Sequence, residues 1–139
     1  MYSSSKAAVI QFNKAISYCY HLDNIRTYAT CPGTIRTNLM SGEEWKSFPE
    51  KYFTPMSTLV NAVIKVVDGG DLEDAKGRKI PEKDAWGLTV EVSGNSWYYR
   101  EPNKFCDDTM EAMMKFTSME NQLARIEKTK QDQNGVNGA

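Results

Sequence analysis

The chain has 139 residues, 17 Lys and Arg against 18 Asp and Glu, one His, and a formal net charge of −1. That length suits one domain able to bury a core, and 40% apolar with 25% charged residues excludes wholesale disorder. The near-neutral balance excludes nucleic acid as the main partner, because phosphate binding needs a basic excess, and no run of about 18 apolar residues is present to span a membrane. The opening Met1-Tyr2-Ser3-Ser4-Ser5-Lys6 lacks the apolar core of a signal peptide. Cys19, Cys31 and Cys106 have no metal-ligand spacing. The expectation is a reduced, cytoplasmic protein with no metal site.

Apolar residues at Ala7, Ala8, Val9, Phe12, Ala15, Ile16, Cys19 and Tyr20 predict a helix over residues 3–22, with Ser3, Ser4 or Ser5 as its cap. His21 then reads as a surface cation at the helix end. The alternating stretch 25–30 predicts a strand stopped by Cys31-Pro32-Gly33. Residues 34–54 read as an irregular segment carrying Trp45, Phe48, Tyr52 and Phe53, the kind of long loop that covers a ligand or a partner. Pro55 opens a second helix through Val67 that is apolar on nearly all sides and should be buried on most of them. Residues 71–87 read as loop, 88–92 as a strand, and 97–99 as a short returning strand. Met110, Met113, Met114, Phe116, Met119, Leu123 and Ile126 predict a helix from 107 to 130, its last four apolar positions spaced as a coiled-coil seam. Asp107 and Asp108 read as its cap. A polar Gly/Asn-rich tail, 131–139, reads as disordered. The organisation expected is an α/β domain over 1–102, a helical extension over 103–130, and the tail.

Strand, helix and strand at 25–30, 55–67 and 88–92 make a βαβ unit with parallel strands. Two parallel strands alone do not make a stable sheet, so a partner completes it or the helices wrap it unusually.

Tyr2-Ser3-Ser4-Ser5-Lys6 before an Ala/Val-rich helix, and Ile25-Arg26 followed by Cys31-Pro32-Gly33-Thr34-Ile35-Arg36-Thr37, resemble the Tyr-x-x-x-Lys segment and the strand with its Pro-Gly turn of the short-chain dehydrogenases/reductases. The later apolar helix and the Gly-Leu-Thr-Val-Glu-Val strand are similar to that family's final helix and strand. The resemblance covers residues 1–100 and is to the C-terminal half, beginning just before the Tyr-x-x-x-Lys motif. It implies a partial Rossmann-like fold completed by oligomerisation. It also implies that Tyr2 is a general acid/base with Lys6 as the supporting cation, and that Pro32, Gly33 and Thr37 are what remains of the cofactor seat. A complete member carries, ahead of the Tyr, a Gly-rich nucleotide loop, the first strands and a catalytic Ser. This chain contains no Gly-x-x-x-Gly-x-Gly, so the expectation is that it holds no cofactor by itself.

Three functions stay open. The first is a cofactor-independent isomerase, cyclase or lyase on a small, mostly apolar, natural-product-like molecule. Tyr2 and Lys6 would be its catalytic pair, and Trp45, Phe48, Tyr52, Phe53 and Met113 would face the substrate. The second is an NAD(P)-dependent oxidoreductase completed by a partner chain. The third is a non-catalytic interaction module, in which Tyr2 and Lys6 are relics, the aromatics are core and the Met stripe is packing. Cys31 reads as a small apolar core residue. All three imply a homodimer, because the strand at 25–30 has an unpaired edge and the apolar face of residues 7–20 is bare.

Overall fold

The computed structural model describes residues 1–136, with side chains through residue 131. Two compact units divide after Glu101, and each is described by itself.

In the first unit, α1 is Tyr2–Ile16. The serines expected to cap it lie inside its first turn; Met1 is the cap residue, and Ser5 Oγ donates back to the Tyr2 carbonyl at 2.7 Å. The helix expected through residue 22 is two helices. Ser17 Oγ donates to the Lys14 carbonyl at 2.7 Å, a local bond that competes with helix continuation, and α2 (Cys19–Asp23) follows, closed by Asn24 in the left-handed region. β1, Tyr28–Pro32, lies later than the alternation suggested. It ends on Pro32, where a missing N–H costs nothing.

The segment read as irregular contains α3 (Gly42–Trp45) and a 3₁₀ turn at Glu50–Tyr52. Ser41 caps α3: its Oγ accepts from the Glu44 N–H, and the Glu44 carboxylate accepts from the Ser41 N–H at 2.8 Å. α4 (Met56–Asp68) starts behind Pro55 as expected. It is not buried on most faces: Ala62 and Val66 are buried and Leu59 partly so, while Met56, Val60, Ile64 and Val67 are exposed. The reason is geometric. A helix meets a small sheet along one stripe, and Leu59, Ala62 and Val66 fill that stripe.

β2 (Leu72–Glu73) and β3 (Lys79–Ile80) pair antiparallel in the stretch read as loop. β4 (Leu88–Ser93) and β5 (Ser96–Tyr99) complete the main sheet, ordered β1-β4-β5. β1 runs parallel to β4, from Tyr28↔Leu88 to Pro32↔Val92, which is the expected βαβ crossover. β5 returns antiparallel. Val90 and Val92 join Ala62, Val66, Leu72, Ile80 and Tyr99 in the core. Ala29 and Thr89 have the opposite parity and are buried outside that cluster, and α1 packs on the same two strands. The two helices therefore take opposite faces of the sheet.

Asp74 ties the β2–β3 hairpin to the sheet. Its carboxylate, 6% exposed, accepts three backbone N–H bonds, from Lys76 (2.9 Å), Arg78 (3.0 Å) and Tyr99 (3.1 Å). Burial acts to raise its pKa, but the three donors together outweigh it and hold the carboxyl below its ordinary value. Close by, burial and the Asp74 charge push the Tyr99 phenol up to about 12. Because the folded carboxyl is depressed, its stabilisation is complete above the ordinary range near 3.8 and is lost as pH falls through the folded value. Asp74→Asn turns an acceptor into a donor facing N–H groups and should cost about 2 kcal/mol. Urea titrations of both proteins should show this difference at neutral pH and its shrinkage in acid.

The second unit holds α5 (Asp108–Phe116) and α6 (Met119–Val136). Asp107 caps α5 as expected, its Oδ1 accepting from the Met110 N–H at 2.7 Å. The single helix expected over 107–130 is broken at Thr117 and Ser118. There the Phe116 carbonyl accepts from Arg125 (3.0 Å) and the Thr117 carbonyl from Gln122 (2.6 Å), side chains that satisfy a helix end without a glycine. The seam of Phe116, Met119, Leu123 and Ile126 is thus divided between two helices. α6 takes in residues 131–136, which the sequence assigned to the tail; residues 137–139 lie outside the described residues.

Candidate active site

A groove of about 520 Å³ runs between α1 and β1, lined by Tyr2, Lys6, Val9 and Ile10 and by residues 28–32. Tyr2 and Lys6 stand one turn apart on one helix face. The Lys6 ammonium lies 5.4 Å from the centre of the Tyr2 ring, so it faces the ring. Tyr2 is 68% exposed, within reach of a molecule entering from solvent. Cys31 lies on the groove half-buried, and burial pushes its thiol up.

Asn13, a residue the sequence reading passed over, holds α1 in place. Only 5% exposed, its amide donates to the carbonyls of Gly87 (3.1 Å) and Leu88 (3.2 Å). Its signal was a polar residue at i+3 from Ile10 and i+4 from Val9, inside the apolar register. Gly87 has φ +65°, and a Cβ there would lie 2.5 Å from Ser17 Cβ.

At the end of β1, the Gly33 N–H donates to Val92 O at 2.7 Å, and a Cβ on Gly33 would meet Thr54 Oγ1 at 3.0 Å. Buried Thr54 in turn accepts from the Gly94 N–H at 3.0 Å. Thr37 is exposed; its carbonyl accepts from Trp45 Nε1 at 3.1 Å.

The aromatic residues of 34–54 gather elsewhere. Trp45, Phe48 and Phe53 pack ring to ring at 5.6 to 6.4 Å, with the Arg36 guanidinium 4.5 Å from Phe53. The capped α3 and the 3₁₀ turn fold this segment back on itself. Tyr52 is not in that group; it carries Lys51 against its ring and is exposed. The groove is lined by Tyr2 and Lys6 without these four residues. Met113 is on α5 in the second unit and exposed. His21 does not stand free at the surface as expected: its ring sits 4.7 Å from Trp86, and its Nε2 is buried without a partner among the described residues.

Residues 1–47 match the short chain dehydrogenase family. Over 131 residues the chain is 37% identical to "Short-chain dehydrogenase/reductase prx7" of Penicillium rubens, covering 91% of this chain and 46% of that protein. The chain has short-chain dehydrogenase/reductase ancestry. A second relative, 2-keto-3-deoxy-L-fuconate dehydrogenase of Xanthomonas campestris pv. campestris, is 39% identical over 69 residues, 42% of this chain and 22% of that enzyme. The chain spans less than half the length of these relatives. No solved structure matches it.

Short-chain dehydrogenase/reductase ancestry implies a nicotinamide dinucleotide, and the residues present can be tested against one. At the Pro32–Gly33 turn, Pro has no N–H and the Gly33 N–H is given to Val92. Thr37 offers an exposed hydroxyl. Among the described residues no glycine-rich loop opens a helix: α1 opens on Met1, α3 on Ser41 and α4 on Pro55. These residues do not fit a diphosphate. Nor do the described residues hold a group of three His, Cys, Asp or Glu suited to a metal, and no described helix is long and apolar enough to cross a membrane.

Proposed function

We propose that Tyr2 and Lys6 are the proton-transfer pair of a short-chain dehydrogenase/reductase site, acting on the carbonyl or hydroxyl of a small, mostly apolar molecule in the α1–β1 groove. The observation that carries this is the pair itself, together on one helix face at a groove with apolar walls from Val9, Ile10 and Ala29. Tyr2 gives a proton to a carbonyl oxygen as that oxygen gains charge, or takes one from a hydroxyl. The Lys6 ammonium offsets the negative charge left on the phenol.

The relatives' names, dehydrogenase and reductase, favour oxidoreduction, with the dinucleotide held by sequence beyond these residues. A second reading is a cofactor-free isomerase, cyclase or lyase. It is favoured by the pair and its apolar walls lying together within this chain, since such reactions need proton transfer and positioning alone. Both readings place the protein in the cytoplasm as a homodimer.

The test uses small ketones in deuterated water, with exchange at the carbon beside the carbonyl followed by NMR. Exchange above the buffer rate is expected without nucleotide, and NAD(P)H is expected to stay unconsumed by this chain alone. No exchange overturns the proton-transfer assignment. Consumption of NAD(P)H overturns the misfit to the diphosphate.

A further inference from the structure

We propose that residues 74–78 form a strap that closes the outer edge of β5 to strand pairing, with the Asp74 carboxylate as its latch. β5 is an end strand, since the order is β1-β4-β5. On its inner side the ladder to β4 continues through Arg100, whose N–H donates to the Thr89 carbonyl at 2.9 Å. Backbone direction alternates along a strand. Tyr98 and Arg100 therefore turn their backbone groups toward β4, and Trp97 and Tyr99 turn theirs outward. The strap meets both. The Trp97 carbonyl accepts from the Ala75 N–H at 3.1 Å, and the Tyr99 N–H donates to Asp74 Oδ2 at 3.1 Å. The contact is made wholly within residues 74–99.

An added strand would offer β5 a donor for the Trp97 carbonyl and an acceptor for the Tyr99 N–H. Asp74 and Ala75 offer the same two groups without being a strand: the Ala75 N–H is the donor, and a side-chain oxygen stands in for the carbonyl. That oxygen is held from behind. Asp74 Oδ1 accepts from the Lys76 N–H (2.9 Å) and the Arg78 N–H (3.0 Å), the Asp74 N–H donates to the Arg78 carbonyl at 3.0 Å, and Gly77 makes the turn at φ +76°. The base of the hairpin is fixed, because Leu72 and Ile80 are buried in the core. The tip is not, because residues 75–78 are exposed. Lys76 and Arg78 lie 5.7 and 5.9 Å from the centres of the Tyr98 and Tyr99 rings, and exposed contacts of that kind contribute little. Two hydrogen bonds thus fasten the tip to the edge, and releasing them bares Trp97 and Tyr99 while the base stays anchored. A loop laid along an end strand in this way blocks edge-to-edge pairing.

Amide hydrogen exchange on the whole chain reads the strap directly. Ala75 and Tyr99 should share one protection factor, lower than that of Arg100, because opening the strap frees both and leaves the β4 ladder closed. Asp74→Ala should speed exchange at Tyr99 about 10- to 100-fold relative to Arg100. A synthetic peptide copying residues 95–101 then probes the edge, with the Trp97 and Tyr99 amide signals followed by NMR. These signals should shift saturably in Asp74→Ala and in Ala75→Pro, which removes the donor to Trp97, and stay in place in the unmodified chain. The same peptide N-methylated at 97–99 should move them in no protein. Gly87→Ala, whose new methyl meets Ser17 and not the strap, should behave as the unmodified chain. Equal protection of Tyr99 and Arg100 in the unmodified chain overturns the proposal, and that measurement needs neither strap variant to fold. So does a peptide that moves the signals in neither strap variant, that moves them as far in the unmodified chain or in Gly87→Ala, or that acts equally when methylated.

Discussion

Replacing Gly87 by Ala should destabilise the protein by about 3 kcal/mol and lower its melting temperature by about 10 °C. Two effects add. Gly87 sits at φ +65°, where any side chain is strained. The new methyl would also lie 2.5 Å from Ser17 Cβ, well inside contact distance. Neither side yields easily. Gly87 is held through its carbonyl by Asn13, and Ser17 is fixed by its own bond to Lys14. Ser17→Gly in the Gly87→Ala background should recover the clash but not the strain, giving a coupling of about 1 kcal/mol or more in a double-mutant cycle. Thermal melts of the four proteins measure it. Additive single effects would mean that α1 does not end against Gly87.

Tyr2→Phe should reduce proton exchange on a bound ketone about 10²- to 10⁴-fold, the usual contribution of a positioned acid or base. The phenol is mostly exposed, so its loss should change stability by less than about 0.5 kcal/mol, and the activity readout stays clean. The first turn is held by the Ser5 N–H bonding the Met1 carbonyl at 3.1 Å, so the ring is retained in the variant with Lys6 still beside it. Lys6→Met keeps the length of the stem and removes the charge. It should lower the rate while leaving ligand occupancy of the groove, followed by NMR shifts of Val9 and Ile10, unchanged. An unaltered rate in Tyr2→Phe removes the phenol from the chemistry.

Much of the frame was legible because its signals are periodic. Alternation marked β4 and its returning partner, Pro55 marked the start of α4, and Asp107 marked a cap. β1 was displaced because Pro32 reads as a terminator, although an edge position lets it be the last strand residue. The β2–β3 hairpin was missed because strands of two residues have no period to detect. What holds them is the Asp74 carboxylate, a contact that reaches Tyr99 across 25 residues. The Ser41-Gly-Glu-Glu44 capping signal was present and unread. Tyr2 and Lys6 were singled out by motif, and both line the α1–β1 groove. The substrate-facing set drawn from residues 45–53 rested on counting aromatics, which cannot distinguish a ring facing a ligand from a ring facing another ring. Trp45, Phe48 and Phe53 face one another. Burial of α4 was overestimated because hydrophobicity reports what a helix can bury, while the small sheet sets what it does bury.

The parallel pairing of Tyr28 with Leu88 also bears on how the chain assembles. β4 and β5 are joined by a tight turn and can zip together locally, whereas β1 must wait for everything between residues 33 and 87 to loop back. Closing so long a span costs entropy before any ladder bond returns it. High contact order of this kind slows folding, so the strand that borders the Tyr2–Lys6 groove should be the last to find its place, and the groove should gain its floor only at the end of the process.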